Sequence, residues 1–125
     1  MLQGFEEITK DLNDFEINKV IHLIALGIST KIGKDKAISS SKICAAINNR
    51  KDLDGYKLTP VKLRKIMQAI RLSGKIMYLC SNSKGYYVAA SSNELDDCIE
   101  SLEQRVSQQQ RVIDSMIWQR QQLVS

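Results

Sequence analysis

The chain has 125 residues, 43% of them apolar and 26% charged, which suits one domain of ordinary globular composition with a modest core. No uninterrupted apolar run approaches the roughly 20 residues of a membrane span, and Glu6 and Glu7 stand where a secretory leader would carry positive charge, so a soluble, cytoplasmic protein is expected. The net charge of +4 is unevenly spread: residues 31 to 88 carry 13 Lys or Arg against 3 Asp or Glu, a net of +10, while residues 1 to 30 and 89 to 125 each carry −3.

A basic concentration of this kind is the footprint of a polyanionic partner, most commonly nucleic acid. An ordinary lysine-rich solvated surface is the plain alternative. Three segments are expected: an N-terminal arm or short helix over 1–13, a winged-helix domain over 14–91, and a long C-terminal helix over 92–125. In the arm, Phe5, Ile8 and Leu12 recur at helical spacing. Asp14 is a candidate N-cap for a longer helix whose Ile17, Val20, Ile21, Ile24 and Ile28 form a core-facing stripe. Leu23, Ala25 and Leu26 widen that stripe until the middle of the helix is apolar almost all round. His22 is the single histidine of the chain, and with no second one to complete a metal or catalytic set it reads as structural. After the basic connector Lys31 to Lys36, Ala37-Ile38-Ser39 can form the short first strand of a winged domain. Serines 39 to 41 can cap a helix through Asn48 with Ile43, Ala46 and Ile47 on one face. Residues 49 to 57, with Asp54-Gly55, read as an exposed connection.

The clearest element follows. Thr59 is a good N-cap, Pro60 suits the first helical position, and Gly74 suits a left-handed stop, so a helix of about four turns is expected. Lys75 to Cys80 and Gly85 to Ala90 read as two strands around the turn Ser81 to Lys84. Two helices, the second basic, followed by a hairpin give the fold class: mainly α with a small β-hairpin, a winged helix-turn-helix plus a long C-terminal helix. On a helical wheel Leu63, Ile66, Met67 and Ile70 share the face that must be buried, and Val61, Lys65, Gln68 and Leu72 the opposite one. Lys65 and Gln68 are candidates for base edges, Lys62 and Arg64 for phosphates, and Val61 for a thymine methyl. Lys57 and Thr59 at the entry of the helix and Arg71 on its flank complete its share of candidate DNA contacts, and Asn82, Ser83 and Lys84 form the share of the wing. Of Tyr86 and Tyr87, strand alternation sends one inward and the other outward, to a phosphate or to the C-terminal helix.

From Ser92 the composition changes again. Ser92 or Asn93 can cap a helix whose first turns hold Glu94, Asp96, Asp97 and Glu100. Ile99, Val106 and Ile113 at position a, with Leu95, Leu102, Met116 and Leu123 at position d, form a heptad stripe that favours two parallel strands. Gln109 and Arg120 interrupt it, and Ile117 and Trp118 add apolar surface. Two readings stay open: the helix pairs with a second copy as a coiled coil, or it folds back so that its stripe is intramolecular core. The three cysteines have none of the paired spacings of a zinc site and read as reduced, buried hydrophobes. With no phosphate-binding glycine loop, metal cluster or nucleophile motif, neither an enzyme nor a cofactor is expected.

The segment from Leu63 to Arg105 resembles the small winged-helix proteins of bacteriophages and prophages. The likeness rests on Arg64, Ile66, Ile70 and Arg71 in the helix, Gly74 after it, Ser81, Ser83, Lys84, Gly85, Tyr86 and Tyr87 in the wing, and Glu94, Leu95 and Arg105 beyond. It implies a DNA-binding module in phage replication or transcription control, acting in a bacterial host cell. A protein-interaction module whose C-terminal helix is the working surface is the alternative.

Overall fold

The computed structural model describes residues 10–123. The helix expected around Phe5 and Ile8 lies outside them, while Leu12 is buried. The described residues are mainly helical with one β-hairpin, a winged helix-turn-helix followed by a long C-terminal helix.

The first helix is capped by Asn13, not Asp14. Asn13 Oδ1 accepts from the Glu16 N–H at 2.8 Å and Glu16 Oε1 accepts from the Asn13 N–H at 2.9 Å, a reciprocal capping box that Asp14 cannot make because no Glu or Gln lies three residues after it. A π-helical stretch, Glu16–Val20, leads into α1 (Ile21–Ile28), with the Ile21 N–H bonded to Glu16 O. Val20, Ile21, Ile24, Ala25 and Ile28 are buried as their spacing predicts. Leu26 is exposed, as is His22, so this helix is covered on one side only rather than buried all round.

Ser39 caps α2 (Ser40–Asn48), its Oγ accepting from the Lys42 N–H. Ile43, Cys44 and Ile47 face the core, with Cys44 in the place expected for Ala46, which is exposed. Asn48 then clamps the start of the next helix: the Leu58 N–H donates to Asn48 Oδ1 at 2.6 Å and Asn48 Nδ2 donates to Leu58 O at 3.1 Å. In α3 (Pro60–Ser73) the cap and stop are as expected, with Thr59 Oγ1 accepting from the Lys62 N–H at 3.2 Å and Gly74 at φ 71°. Leu63, Ile66, Met67 and Ile70 are completely or almost completely buried, so the predicted inner face of α3 is the centre of the core.

The hairpin is shorter than expected. β1 (Leu79–Asn82) pairs antiparallel with β2 (Gly85–Val88) around Ser83-Lys84, whose turn is held by Asn82 Oδ1 accepting from the Lys84 and Gly85 N–H groups. The left-handed backbone of Tyr78, φ 66°, ends the extended run, so Lys75 to Tyr78 are not strand, and β2 ends at Val88, short of Ala90. The third strand expected at Ala37 to Ser39 shrinks to one antiparallel bridge, in which Ile38 and Tyr86 exchange backbone hydrogen bonds of 2.9 Å.

Ser91, rather than Ser92 or Asn93, caps α4 (Ser92–Gln122); its Oγ accepts from the Glu94 N–H, and the Glu94 carboxylate accepts from the Ala90 and Lys34 N–H groups. The two wing tyrosines take opposite faces as alternation predicts, and the outward one meets the C-terminal helix rather than solvent, so both are buried. Tyr86 joins the main core, and Tyr87 packs with Cys80 and Cys98 in a second, smaller core. The hairpin is covered on both faces because the first turns of α4 lie across the side that would otherwise meet solvent. All three cysteines are free and buried. From Leu102 to Leu123 every residue is exposed, so the fold-back reading of the tail does not hold. Among the described residues no helix is long and apolar enough to cross a membrane.

Candidate nucleic-acid interface

Thr59, Pro60 and the Asn48 clamp fix where α3 starts, and its buried Leu63-Ile66-Met67-Ile70 face fixes its rotation. The outer side then presents Val61, Arg64 and Gln68 to solvent, with Lys57 and Thr59 at the entry. Asn82, Ser83 and Lys84 are exposed at the wing tip. Among the described residues Lys57, Arg64 and Lys84 form no ion pair.

The other expected contacts are engaged within the chain. Lys65 Nζ donates to Asp11 Oδ2 at 3.1 Å, and Lys62 Nζ donates to Asp11 O at 2.9 Å while lying 3.6 Å from Glu16 Oε1. Arg71 reaches the wing, with Nε donating to Leu79 O at 3.1 Å and Nη2 to Ser81 Oγ at 3.3 Å. Its position in the last turn of α3 makes it a brace between helix and hairpin rather than a free cation. Thr59 Oγ1 accepts in the cap and Asn82 Oδ1 accepts in the wing turn, which leaves the Thr59 O–H and the Asn82 Nδ2 as the groups able to donate to a phosphate. The two lysine contacts are not visible locally, since Asp11 lies more than 50 residues before the lysines it meets.

Asp11 changes the electrostatics of this face. The hydrogen bond and charge of Lys65 hold its carboxyl below the usual carboxylate range, so it is ionised at neutral pH and opposes any phosphate nearby. Asp11→Asn is therefore expected to raise affinity for duplex DNA by roughly threefold at low salt, the gain shrinking as salt is added. Fluorescence anisotropy with a labelled duplex measures this; unchanged affinity places Asp11 outside the binding field.

Beneath the entry of α3 lies a buried carboxylate. Glu16 is 3% exposed, accepts from the Tyr56 hydroxyl and the Asn13 N–H, and faces Lys62. Phe15 packs on Tyr56 with ring centroids 5.7 Å apart. Burial pushes the Glu16 carboxyl up, but the hydrogen bonds from Tyr56 and Asn13 and the charge of Lys62 outweigh it and hold the pKa below the ordinary 4.5. A depressed carboxyl contributes stability above its unfolded pKa and loses it as pH falls through the folded value. The melting temperature is therefore expected to drop below about pH 4.5, and Glu16→Gln, less stable at pH 7, should show a shallower drop. Parallel acid curves for both proteins would contradict this role.

The structure also adds a residue to the wing. A cleft of about 250 Å³ between hairpin and α4 is lined by Ser81, Asn82, Ser83, Ser101 and Arg105, with Lys34 and Asp97 paired at 2.6 Å on its wall. Arg105 thus stands beside the wing tip. Its charge is plain in the sequence, but its place is set by how α4 packs on the hairpin.

Compared with models of known protein families, with curated proteins and with solved structures, the chain finds no match.

Proposed function

We propose that this is a non-enzymatic winged-helix protein that binds double-stranded DNA through the outer side of α3 and the wing, as a homodimer paired through α4. The observation that carries the reading is the exposure of Arg64, Gln68 and Val61 on a capped helix, with Lys84 at the tip of the adjoining hairpin, inside a segment of net charge +10. Gln68 can hydrogen-bond a base edge and Val61 can meet a thymine methyl, while Lys57, Arg64, Lys84 and Arg105 serve phosphates. Lys65 joins them only by exchanging Asp11 for DNA. The cytoplasm of a bacterial host, and a part in phage or prophage replication or transcription control, belong to the same proposal and follow from the resemblance of the wing and its helix.

Mobility shift of a mixed duplex pool at two salt concentrations is the direct test. Binding at about 50 mM salt that falls at least tenfold by about 200 mM is expected if several phosphates are contacted. No shift at low salt with any duplex refutes the reading.

One observation favours a second reading, a protein-interaction module. Ile99, Leu102, Val106, Val112, Ile113 and Met116 stand exposed along α4, more apolar surface than a solitary helix should show. Pairing with a second copy covers this stripe and keeps both features in one molecule. If charge reversal on α3 leaves biological activity intact while ending the chain at Gln104 abolishes it, the interaction reading replaces the first.

A further inference from the structure

From Leu102 onward every described residue of α4 is exposed, and apart from Arg105 at the wing cleft its apolar stripe is left uncovered by the described residues. Resting on the dimer proposed above, we infer that a second copy covers it in the antiparallel sense, with Val106 facing the partner's Met116 and Arg120 facing the partner's Leu102 and Glu103.

Composition at a and d alone favours parallel strands, but the facing pairs argue otherwise. In a parallel, in-register pair every a and d residue meets its own copy, so Arg120 would meet a second Arg120 in an apolar seam. The acidic start of the helix would also lie beside its like. Residues 92 to 103 hold Glu94, Asp96, Asp97, Glu100 and Glu103 with no base, whereas 104 to 122 hold Arg105, Arg111 and Arg120 against Asp114 alone. The helix is thus acidic at one end and basic at the other, and reversing one copy sets unlike ends together.

Register follows from what is available to pair. Leu95 is half-buried against its own domain, so the seam begins at Ile99. In an antiparallel pair a residues face d residues, and matching Ile99 with Leu123 brings the whole exposed stripe into contact. The same alignment sets Val106 opposite Met116, Ile113 opposite Gln109, and Arg120 opposite Leu102, where Glu103 is the next residue. Arg120 then faces no arginine, and Arg111, level with its own copy at the middle of the rod, stands at an outward f position away from the seam. The two winged domains sit at opposite ends of a rod about 36 Å long, taking 1.5 Å per residue over 24 residues, rather than side by side.

Val106 and Met116 are exposed, so cysteine there leaves the domain intact, and the three native cysteines are buried. Val106→Cys and Met116→Cys chains are oxidised with diamide separately and as a mixture, and sedimentation gives the mass of the unoxidised protein. The expected result is a mass of two chains, almost no covalent dimer from either variant alone, and at least tenfold more from the mixture. Residue 106 and its copy would be some 15 Å apart along the rod, beyond the roughly 7 Å a disulfide spans. Covalent dimer from Val106→Cys alone overturns the antiparallel sense and leaves the dimer standing, and a two-chain mass with no cross-link in the mixture overturns the register. A mass of one chain at high micromolar concentration, or of more than two, overturns the pairing itself while leaving DNA binding untouched.

Discussion

Gly85→Ala is expected to destabilise the domain by about 3–5 kcal/mol and to lower its melting temperature by at least about 12 °C. Gly85 opens β2 at φ 138°, a conformation side chains rarely adopt, and a Cβ built there would run into the backbone oxygen of Ile38, where no flexible side chain can yield. Relief requires the Ile38 backbone to withdraw, which breaks the two 2.9 Å hydrogen bonds it exchanges with Tyr86 and loosens a residue of the main core. Each broken bond strands a buried donor or acceptor, and the strain adds to that cost. Gly27→Ala is the contrast: in α1 with nothing within 4 Å of its Cβ, it should be neutral or slightly stabilising. Thermal melts of the two variants decide this, and a Gly85→Ala protein melting within 2 °C of the parent would mean the Ile38 bridge contributes little.

Reversing two charges, Arg64→Glu with Lys84→Glu, is expected to lower duplex affinity by at least about 100-fold at roughly 50 mM salt and to reduce the salt slope by about two. Both side chains are exposed and neither is ion-paired among the described residues, so the melting temperature should move by no more than about 2 °C. That separation makes the pair more informative than Lys65, whose reversal would also break the contact with Asp11, or Arg71, whose loss would unhook helix from hairpin. Salt-dependent anisotropy measures the effect. Unchanged affinity would remove helix and wing from the binding surface and direct attention to α4.

Much of the fold was legible in the residues. The Thr59-Pro60 entry, the Gly74 stop and the Leu63-Ile66-Met67-Ile70 face of α3 appear where local chemistry and helical period put them, because capping and amphipathicity act over four residues or fewer. The Ser39 cap of α2 belongs to the same class. Where local signals competed, the expectation slipped by a residue or two. Asn13 and Ser91 won as caps over Asp14 and Ser92 because each has a glutamate three residues on that answers it or its neighbour.

The candidate site divides along the same line. Residue types, their spacing and the basic concentration over 31 to 88 mark α3 and the wing as the charged face of the molecule, and they need only the sequence. Which of those charges stand free was decided by contacts between distant segments: Asp11 on Lys65, Glu16 and Asp11 on Lys62, and β1 on Arg71. Only the packing of α4 across the hairpin buries Tyr87 and brings Arg105 to the wing. Period and propensity determine an element and its inner face, since both are properties of neighbours along the chain. The burial of a polar end, or the pairing of a charge, depends on what arrives from elsewhere, and only the tertiary structure decides it.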